Sequence, residues 1–440
     1  MLTETQTEIL RFVQENDVKF IRLAFCDLFG APKNIAILSS QLEQAFEHGI
    51  LFDASSIAGF QPVECSDLFL VPDCSSISIL PWRPSHERVM RMVCSVKNPD
   101  GSDYAGDTRN LLKQAVERAA GMGLLCRIGT ECEFYLFQAE ENGLPSTRPM
   151  DNGGYADIAP LDKGENIRRN ICLALEQMGL LPERSYHEHG PGQNEVDFRY
   201  SEPLTAADNF LVFKTAVKAI ASASGLYASF LPKPLANNSG NGLHVNLSLS
   251  KFGKNMFRTG PEHCESAESF IAGILEHAAE LSVFLNPLTN SYRRLGGFEA
   301  PRYVTWSHQN RSQLIRIPAS FGEDNRMELR SPDPSCNPYL AFALLLHAGL
   351  DGIERHTKLV APCNRNLQEE SLPEAGSGIA RLPENLQEAL RLADQSELIH
   401  RILPDEMWNK YRAAKQQEWE ACVQAGNTHM FELEQWFQQI

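Results

Sequence analysis

The 440-residue sequence predicts an α+β protein with a small N-terminal domain, 1–104, and a large C-terminal domain, 105–440. Two observations support this prediction. Short strand-like segments separated by turn formers fill the first part of the chain, whereas longer strand-like and amphipathic helical segments interleave in the rest. Between the two parts, the run "NPDGSDYAGD" at 98–107 consists mostly of turn-forming residues, which favours a boundary there.

The individual elements follow from local composition and periodicity. In the small domain, strands are predicted at 18–26, 68–71 and 90–96. Asp107 or Thr108 is then placed to cap the amphipathic helix that opens the large domain, "RNLLKQAVERAAGMG". For the large domain we predict strands at 126–137, 194–200, 242–250, 312–318 and 326–330, helices at 165–178, 205–223, 266–283 and 337–353, and a helical tail from about 383.

Charge and composition limit the classes of function. The formal net charge of −16, from 40 Lys and Arg against 56 Asp and Glu, argues against a nucleic-acid surface. No apolar run is long enough for a membrane span, and "MLTETQTEIL" lacks the features of a signal peptide. The 11 cysteines contain no Cys-x-x-Cys pair, which favours reduced thiols. We therefore expect a cytoplasmic protein with no membrane partner.

Polar side chains recur on one face of several predicted strands. In "RIGTECEFYLF" (127–137), Glu131 and Glu133 are two residues apart and so face the same way. In "YHEHGPGQNEVDF", Glu188 is placed in a Gly/Pro loop and Glu195 at the start of a strand. The same alternation places two further sets on a common face: His244, Asn246 and Ser248 in "SGNGLHVNLSLS", and Arg326, Glu328 and Arg330 in "RMELRSPDP". For any one segment, a solvated face is the alternative explanation.

Five of these glutamates together with His244 form a ligand set that suits hard divalent cations. Two carboxylates about 4 Å apart repel each other by roughly 4 kcal/mol at an effective dielectric constant near 20. A cluster of them would therefore need cations, and Mg²⁺ or Mn²⁺ would neutralise it. Spacing by itself does not bring the segments together, so a two-metal site is a hypothesis at this point.

Arginines accompany the carboxylates. They recur along 293–330, where we note Arg293, Arg294, Arg311, Arg316, Arg326 and Arg330. Guanidinium groups in apolar strands suit the bidentate capture of carboxylate or phosphate, although salt bridges on an acidic surface are the alternative. Cations and arginines together favour phosphoryl transfer, whose transition state requires charge neutralisation. The sequence has no G-x-x-x-x-G-K-[ST] loop, so metals and arginines would have to hold a nucleotide.

The motifs resemble, in order and near spacing, those of bacterial type I glutamine synthetases. The resemblance runs from about residue 15 to 440 and is carried by "FDASSI", "ECEF", "HEHGPGQNEV", "KPLANNSGNGLHVNLS", "NPLTNSYRRL", "FEAP", "NRSQLIRIP" and "RMELRSPDPSCNPYLAFALLL". It implies an N-terminal β-grasp domain and a catalytic domain with a curved antiparallel sheet and surrounding helices. It also implies a homododecamer of two hexameric rings with active sites between subunits.

The resemblance implies a role for each metal-site residue. Glu133, Glu188 and Glu195 would hold one Mg²⁺ or Mn²⁺ near glutamate. Glu131, His244 and Glu328 would hold a second, which bridges the phosphates of ATP. The two carboxylates of "ECE" would then serve different cations. A lone histidine is more often a core residue, but the glycine-rich turn before His244 and its matching motif favour the ligand.

The implied reaction is the ATP-dependent ligation of ammonia to glutamate through γ-glutamyl phosphate. By resemblance, Arg294, Arg330, Ser239 and Gly240 contact glutamate, Arg311 and Arg316 stabilise the transferring phosphoryl group, and Ser248, Asn246 and Arg326 contact the nucleotide. Asp53, with Ser56, would bind ammonium in the neighbouring subunit's site and help to remove its proton. Glu299 matches an acidic residue in a flap that closes the site. A helix cap or turn is the alternative role for Asp53.

The sequence departs from the family pattern at three places. Ser239 stands where an asparagine usually contacts glutamate, and the flap "LGGFEAP" is one residue shorter than the common form. Gln368, in "NRNLQEES" (364–371), stands near the place of a tyrosine that some members adenylylate, so we expect no such control. The first two departures keep open a γ-glutamyl-amine ligase with another amine or acid substrate. A catalytically silent scaffold is disfavoured because the metal positions and arginines are retained.

Overall fold

The computed structural model describes residues 2–140, 144–257, 264–320, 324–369 and 379–440. Over these residues the chain has the α+β architecture predicted from the sequence, with a smaller N-terminal sheet and a larger C-terminal sheet, each packed against helices. None of the helices in the described ranges is long and apolar enough to traverse a lipid bilayer.

The N-terminal unit, all of which is described from residue 2 to 104, combines six strands with two α-helices. The strands are β1 (Val18–Cys26), β2 (Pro32–Leu38), β3 (Ile50–Asp53), β4 (Asp67–Pro72), β5 (Ser78–Ile79) and β6 (Arg88–Lys97), and the helices are α1 (Glu4–Glu15) and α2 (Leu42–His48). The strand order is β2-β1-β6-β4-β3, with β5 on β6. β1 and β6 run parallel in the middle and the flanking pairs are antiparallel, which agrees with the β-grasp expectation.

The C-terminal unit contains the remaining elements of the described chain. The strands are β7 (Leu125–Ala139), β8 (Pro145–Pro149), β9 (Pro182–His187), β10 (Gln193–Phe198), β11 (Leu226–Ser229), β12 (Leu243–Lys251), β13 (Lys254–Asn255), β14 (Trp306–His308), β15 (Ile315–Ile317) and β16 (Met327–Leu329). The helices are α3 (Thr108–Gly121), α4 (Glu165–Gln177), α5 (Pro203–Ala223), α6 (Glu265–Leu285), α7 (Pro338–Glu354), α8 (Leu386–Asp394), α9 (Glu397–Ile402), α10 (Asp405–Gln424) and α11 (Thr428–Trp436).

The large sheet has the order β14-β15-β16-β12-β7-β10-β9, with β8 and β11 on β7 and β13 on β12. Its pairs are antiparallel except for β14 and β15. Helices α5, α6 and α7 are buried on most sides, which explains why their sequences are apolar around the whole circumference. A Cβ on Gly273 of α6 would lie 2.3 Å from the carbonyl oxygen of Ala348, so glycine lets α6 and α7 pack closely.

The predicted helices and strands are present, with differences at their ends. β15 and β16 have three residues each and are shorter than predicted. Residues just before β15 form a turn instead, because the side chain of Asn310 accepts a hydrogen bond from Ser312 N at 3.0 Å. Asp107 is the residue that caps α3, through Arg109 N at 3.0 Å. Helix α1 was not predicted, although Thr3 and Gln6 form a capping box at its start.

We propose that the domain boundary lies at residues 104 and 105, as the sequence suggested. One hydrophobic cluster runs from Ile9 to Tyr104 and holds the small sheet together. The cluster of the large unit takes Cys26 and Leu28 from the N-terminal part and otherwise begins at Leu111. The turn-rich segment therefore separates two hydrophobic cores.

A buried ionic network joins the two units. Arg109, on the first turn of α3, donates to Asp208 on α5 through Nε at 3.0 Å and Nη2 at 2.8 Å. The same Nη2 also donates to Asp73, after β4, at 2.8 Å. Tyr339 on α7 donates its hydroxyl to Asp208. The side chain of Arg109 is 7% exposed, so the network holds the small unit against three helices of the large one.

Arg109→Met is expected to lower the free energy of unfolding by about 3 kcal/mol, because two carboxylates would lose their buried partner. The measurement is the urea midpoint at fixed protein concentration. Arg148→Met is the control, since Arg148 is 65% exposed and lies 3.7 Å from Glu140. Equal midpoints for the two variants would show that the network adds no stability.

Candidate active site

A cavity of about 890 Å³ lies over the middle of the large sheet. Its floor is formed by neighbouring strands whose polar residues face the same side. The register pairs Glu133 with Glu195 and Glu131 with Asp197 across β7 and β10, and it pairs Glu131 with His244 across β7 and β12. Arg316 pairs with Glu328 across β15 and β16. The polar faces predicted from the sequence are therefore one continuous surface.

Two groups of three potential metal ligands lie on this floor. Glu133, Glu188 and Glu195 form one group, and in each group the ligand atoms all lie within 4.8 Å of one another. Glu131, His244 and Glu328 form the other. The structure thus brings together the same two sets that the family resemblance implied. Glu131 and Glu133 share a face of β7 but belong to different groups.

The first group carries more negative charge than its surroundings neutralise. Burial, and then the charge of Glu188, raise the pKa of Glu133 to about 7. Burial and the neighbouring Asp197 raise the pKa of Glu195 well above its usual range. Glu133 Oε2 accepts a hydrogen bond from Gly242 N at 2.6 Å, which fixes its direction. Buried carboxylates that repel each other in this way are a donor set that fits a divalent cation.

The second group is partly neutralised by protein cations. Burial would raise the pKa of Glu131, but its interaction with His244, whose Nδ1 lies 3.4 Å away, lowers it. Burial likewise opposes ionisation of Glu328, whose pKa is lowered chiefly by Arg330. Glu328 forms ion pairs with both Arg316 and Arg330. These carboxylates are therefore ionised and oriented.

A third group, Asp151, Asp162 and His187, has comparable spacing but a different role. Asp151 accepts hydrogen bonds from Gly192 N at 2.8 Å and Lys163 N at 2.9 Å. Asp162 forms a buried ion pair with Arg168. His187 lies 2.9 Å from Asp151 Oδ1 and 2.7 Å from the carbonyl oxygen of Glu188. These atoms are occupied by protein partners, and they hold the loop that carries Glu188.

The predicted arginines are divided between the cavity and the protein. Arg294, Arg311, Arg316, Arg326 and Arg330 line the cavity. Arg294 is buried and donates to the carbonyl oxygens of Ser331 at 2.8 Å and Arg330 at 3.0 Å. Arg293 instead forms an ion pair with Glu432 on α11 and does not line the cavity. For Arg293 the salt-bridge alternative therefore holds, because its side chain contacts the C-terminal helix.

The proposed nucleotide residues lie at one end of the second metal group. Arg326 Nε donates to Asn246 Oδ1 at 2.9 Å, and Asn246 Nδ2 lies 3.2 Å from Glu131 Oε1. Ser248 lines an adjoining cleft that also contains Arg127, Tyr200 and Arg326. The three residues named from the sequence are thus contiguous.

The flap residues lie at the cavity mouth. Glu299 lines the cavity, and its carboxylate is 3.7 Å from Arg330 Nη2. Gly296, Phe298 and Glu299 all have positive φ, at 79°, 51° and 54°. Left-handed backbone at two non-glycine residues costs free energy and is often found in segments that move. The Phe298 ring lies 4.3 Å from Lys233 Nζ.

Ser239 and Gly240 also line the cavity, and the carbonyl oxygen of Ser239 accepts a hydrogen bond from Tyr135 at 2.7 Å. Gly240 is required, because a Cβ there would lie 2.4 Å from Pro232 O. Gln368 is a further lining residue, while Glu370 and Ser371 of the same motif lie outside the described residues. The expected absence of adenylylation stays a prediction.

Two predicted residues, Asp53 and Ser56, do not line the cavity of their own chain. Asp53 ends β3 and caps the turn that follows, accepting hydrogen bonds from Ser55 N and Ser56 Oγ at 2.9 Å. Hydrogen bonds from Ser55 and then Ser56 lower the pKa of this exposed carboxylate. Asp53 is therefore an ionised, oriented acid at an edge strand of the small sheet.

Several lining residues were not found from the sequence: Tyr155, Arg184, Tyr186, His189, Asn238 and Phe298. Tyr155 stacks on His189 with ring centroids 4.9 Å apart and meets Tyr186 edge-on at 5.7 Å. Two features of the sequence could have indicated them. Two glycines precede Tyr155, and Arg184 and Tyr186 lie four and two residues before Glu188, at the spacing of one strand face.

A second cavity, of about 720 Å³, lies between the loop after β1 and helices α5, α10 and α11. Its lining includes Lys214, Lys218 and Lys415 and none of the residues predicted for the site. This second cavity therefore carries none of the chemistry indicated by the sequence.

Comparisons with known proteins agree with the architecture. Residues 17–99 match the family model for the glutamine synthetase β-grasp domain, and residues 105–436 match the model for the glutamine synthetase catalytic domain. A glutamine synthetase of Clostridium saccharobutylicum is 47% identical over 427 residues, covering 96% of both chains. A glutamine synthetase of Staphylococcus aureus is 42% identical over 424 residues, covering 95% of both.

Solved structures show the same fold. A complex of GmaS with ADP superposes with a TM-score of 0.85 at 29% identity, covering 97% of this chain and 98% of that one. Plasmodium falciparum glutamine synthetase superposes with a TM-score of 0.85 at 25% identity over 99% of each chain. With both family models matched across its two units and close relatives aligned over nearly its whole length, this chain belongs to the glutamine synthetase family.

Proposed function

We propose that this chain catalyses the ATP-dependent ligation of ammonia to L-glutamate, through γ-glutamyl phosphate, to give L-glutamine. The observation that supports it most is the floor of the cavity, where two groups of three metal ligands lie side by side with arginines around them. A phosphoryl transfer to a carboxylate needs this combination, because negative charge accumulates on both reactants.

The alternative product, a γ-glutamyl amide of another amine, is not favoured. The relatives that are 42% to 47% identical over almost the full length are named glutamine synthetase. The site retains the acids that an ammonium substrate would need, Glu299 at the cavity mouth and Asp53 on the small unit. Ser239 and the short flap are therefore changes within a glutamine-forming site.

The donor set fits divalent cations, Mg²⁺ or Mn²⁺. Each site would hold at least two of them. Glu133, Glu188 and Glu195 would hold the one nearer glutamate, and Glu131, His244 and Glu328 the one nearer ATP. When bound, such cations neutralise phosphate charge and orient the reacting oxygens. The raised pKa of Glu133 supports this assignment, since it shows how poorly the protein alone neutralises that group.

The arginines bind and orient the anionic substrates. Arg294, which interacts with Glu133, and Arg330, which is paired with Glu328, are buried residues that line the cavity, where they bind the carboxylates of glutamate. Arg311 and Arg316 also line the cavity, and they stabilise the transferring phosphoryl group. Arg330 reaches Glu328, so a carboxylate substrate and the second metal group share one guanidinium neighbour. Asn246, Ser248 and Arg326 contact the nucleotide.

The amine step uses a residue of a second subunit. Ammonium carries no lone pair for attack, so a carboxylate must bind it and accept a proton. Asp53 and Ser56 are outside the cavity of their own chain, and we assign them to the site of a neighbouring subunit. Glu299 closes the mouth on that side and excludes water from the acyl phosphate. A dodecamer of two hexameric rings provides this arrangement.

The 11 cysteines are all free thiols. This supports the cytoplasmic location proposed from the sequence, because reducing compartments preserve such thiols.

The test is an assay of phosphate release and glutamine formation with ATP, Mg²⁺ or Mn²⁺, glutamate and ammonium, omitting each component in turn. We expect phosphate release to require all four and to match glutamine formed. A panel of small primary amines is the control. Turnover with one of those amines but not with ammonium would overturn the proposed product while leaving the phosphoryl-transfer site intact.

A further inference from the structure

One cross-strand row on the cavity floor ends in a residue that has no assigned role. The register pairs His244 with Glu131, Glu131 with Asp197, and Asp197 with Arg184, across β12, β7, β10 and β9. A parallel row pairs Glu133 with Glu195 and Glu195 with Tyr186. Arg184 therefore lies in the row of the ATP-side metal group, and Tyr186 in the row of the glutamate-side group.

Arg184 is held in place at one point and open to the cavity elsewhere. Its Nη2 lies 2.7 Å from Asp197 Oδ2 and 3.6 Å from Glu131 Oε1. The carboxylate of Asp197 is 4% exposed, whereas the arginine side chain is 60% exposed and lines the cavity. A guanidinium has five N–H donors in a fixed plane, so the ion pair with Asp197 leaves most of them directed at solvent in the cavity.

The other arginines of the site differ from Arg184 in what they contact. Arg294 donates hydrogen bonds to three backbone carbonyl oxygens, those of Arg330, Ser331 and Pro332. Arg316 forms an ion pair with Glu328 at the opposite edge of the sheet. The ATP-side metal group thus lies between two guanidinium groups, Arg316 on β15 and Arg184 on β9.

We propose that Arg184 binds the phosphate oxygens of ATP that leave as ADP. This inference rests on the proposed function and adds a residue to it. The transferring phosphoryl group moves to glutamate, which Arg294 and Arg330 bind. The remaining phosphates stay beside Glu131, whose Oε1 lies 3.2 Å from Asn246 Nδ2 at the nucleotide end and 3.6 Å from Arg184 Nη2. Guanidinium groups bind phosphate oxygens in a bidentate manner, and Asp197 orients Arg184 for this contact.

The competing role is a local one, in which Arg184 only neutralises Asp197 and Glu131. A second competing role is contact with the carboxylates of glutamate. The row position argues against the second, because Arg184 lies in the row of Glu131, whereas Glu133, which interacts with Arg294, lies in the neighbouring row that ends at Tyr186. The first alternative predicts unchanged ADP affinity in Arg184 variants. The second predicts a larger rise in the KM of glutamate than in the KM of ATP.

The experiment uses the full-length enzyme with Arg184→Gln and Arg184→Lys. Arg199→Gln is the matched control, because Arg199 follows β10, is 66% exposed and pairs with Glu183 at 3.3 Å without lining the cavity. The measurements are the dissociation constant of ADP with Mg²⁺ by calorimetry and the KM values of ATP and glutamate. The thermal midpoint of each variant is recorded in parallel.

We expect Arg184→Gln to weaken ADP binding and raise the KM of ATP about tenfold, the usual effect of one charge-assisted hydrogen bond. The KM of glutamate and all values of Arg199→Gln should stay at the wild-type level. Arg184→Lys keeps the ion pair with Asp197 but loses the bidentate contact, so it should still weaken ADP binding. It therefore provides the test if the glutamine variant is unstable.

Wild-type ADP affinity in both Arg184 variants would overturn the inference. A rise in the KM of glutamate larger than that of ATP would also overturn it. The proposed function is tested separately, by glutamine formation in the wild-type enzyme. ADP binding is measured without turnover, so the role of Arg184 can fail or hold independently of the identity of the amine substrate.

Discussion

Glu133→Gln is expected to lower the rate of glutamine synthesis about a thousandfold. The variant keeps the size of the side chain but removes a charge from the group formed with Glu188 and Glu195. A metal site stabilises the transition state by several kcal/mol. Because each 1.36 kcal/mol changes the rate tenfold, the loss of that stabilisation corresponds to a thousandfold lower rate. The measurement is steady-state glutamine formation at saturating ATP, glutamate and ammonium.

The same variant should keep its fold and its oligomeric state, because it relieves a repulsion among buried carboxylates. Glu140→Gln is the control, since Glu140 follows β7 but lies 3.7 Å from Arg148 at the surface. Near wild-type turnover in Glu133→Gln at low metal concentration would contradict the metal assignment. Loss of the oligomer in size-exclusion chromatography would show that the residue is structural.

Mixed oligomers are expected to recover activity that neither parent has. Asp53→Ala alone should lose about a hundredfold or more, as for removal of a general base. Asp53→Ala and Glu133→Gln subunits are co-expressed with different affinity tags. Tandem purification on the two tags then isolates oligomers that contain both kinds of subunit. In a ring, about a quarter of the sites would then combine an intact small domain with an intact large domain.

Those mixed oligomers should therefore reach about a quarter of the wild-type rate when the two subunits are incorporated equally. Co-expression of Glu133→Gln with His244→Ala subunits is the control. Both of those changes affect the large domain, so no pairing of neighbouring subunits in the ring restores an intact site. No recovery in the Asp53 and Glu133 mixture would mean that Asp53 acts in its own chain or not at all.

The position of Asp53 on the small unit supports the expected recovery of activity in mixed oligomers. Asp53 lies at the end of β3, which is an edge strand of the sheet. Its carboxylate is oriented by Ser55 and Ser56 before any partner arrives. The interdomain network through Arg109 fixes the small unit relative to its own large unit. An acid presented outward from a fixed edge is suited to complete a neighbour's site.

Much of the fold could be predicted from the sequence, because local rules cover it. Alternation with period two identified the polar faces of β7, β12 and β16, and the turn-rich run at 98–107 separated the two units. Helices α5, α6 and α7 were found from their apolar length and were displaced by two residues or fewer at their ends. Eight strands in the described part of the chain were not predicted, and each is too short to give a strong periodic signal: β2, β3, β5, β8, β9, β11, β13 and β14.

The sorting of carboxylates into two groups did not follow from spacing. The family resemblance supplied it, and the strand register shows its structural basis. Glu131 and Glu133 are equivalent within β7, but Glu131 pairs with Asp197 and His244 whereas Glu133 pairs with Glu195. Register joins residues that are far apart in sequence, so no local pattern encodes it.

The sequence by itself determined which side chains are available and which face of each strand they occupy. It therefore determined the two units, the ligand types and the chemistry of charge neutralisation. Only the tertiary structure decided which of these residues meet. It directs Arg293 to α11, commits Arg294 to backbone carbonyls and leaves Arg184 open beside Asp197. The physical reason is that strand order and register set these contacts, and both are decided by packing across the whole sheet.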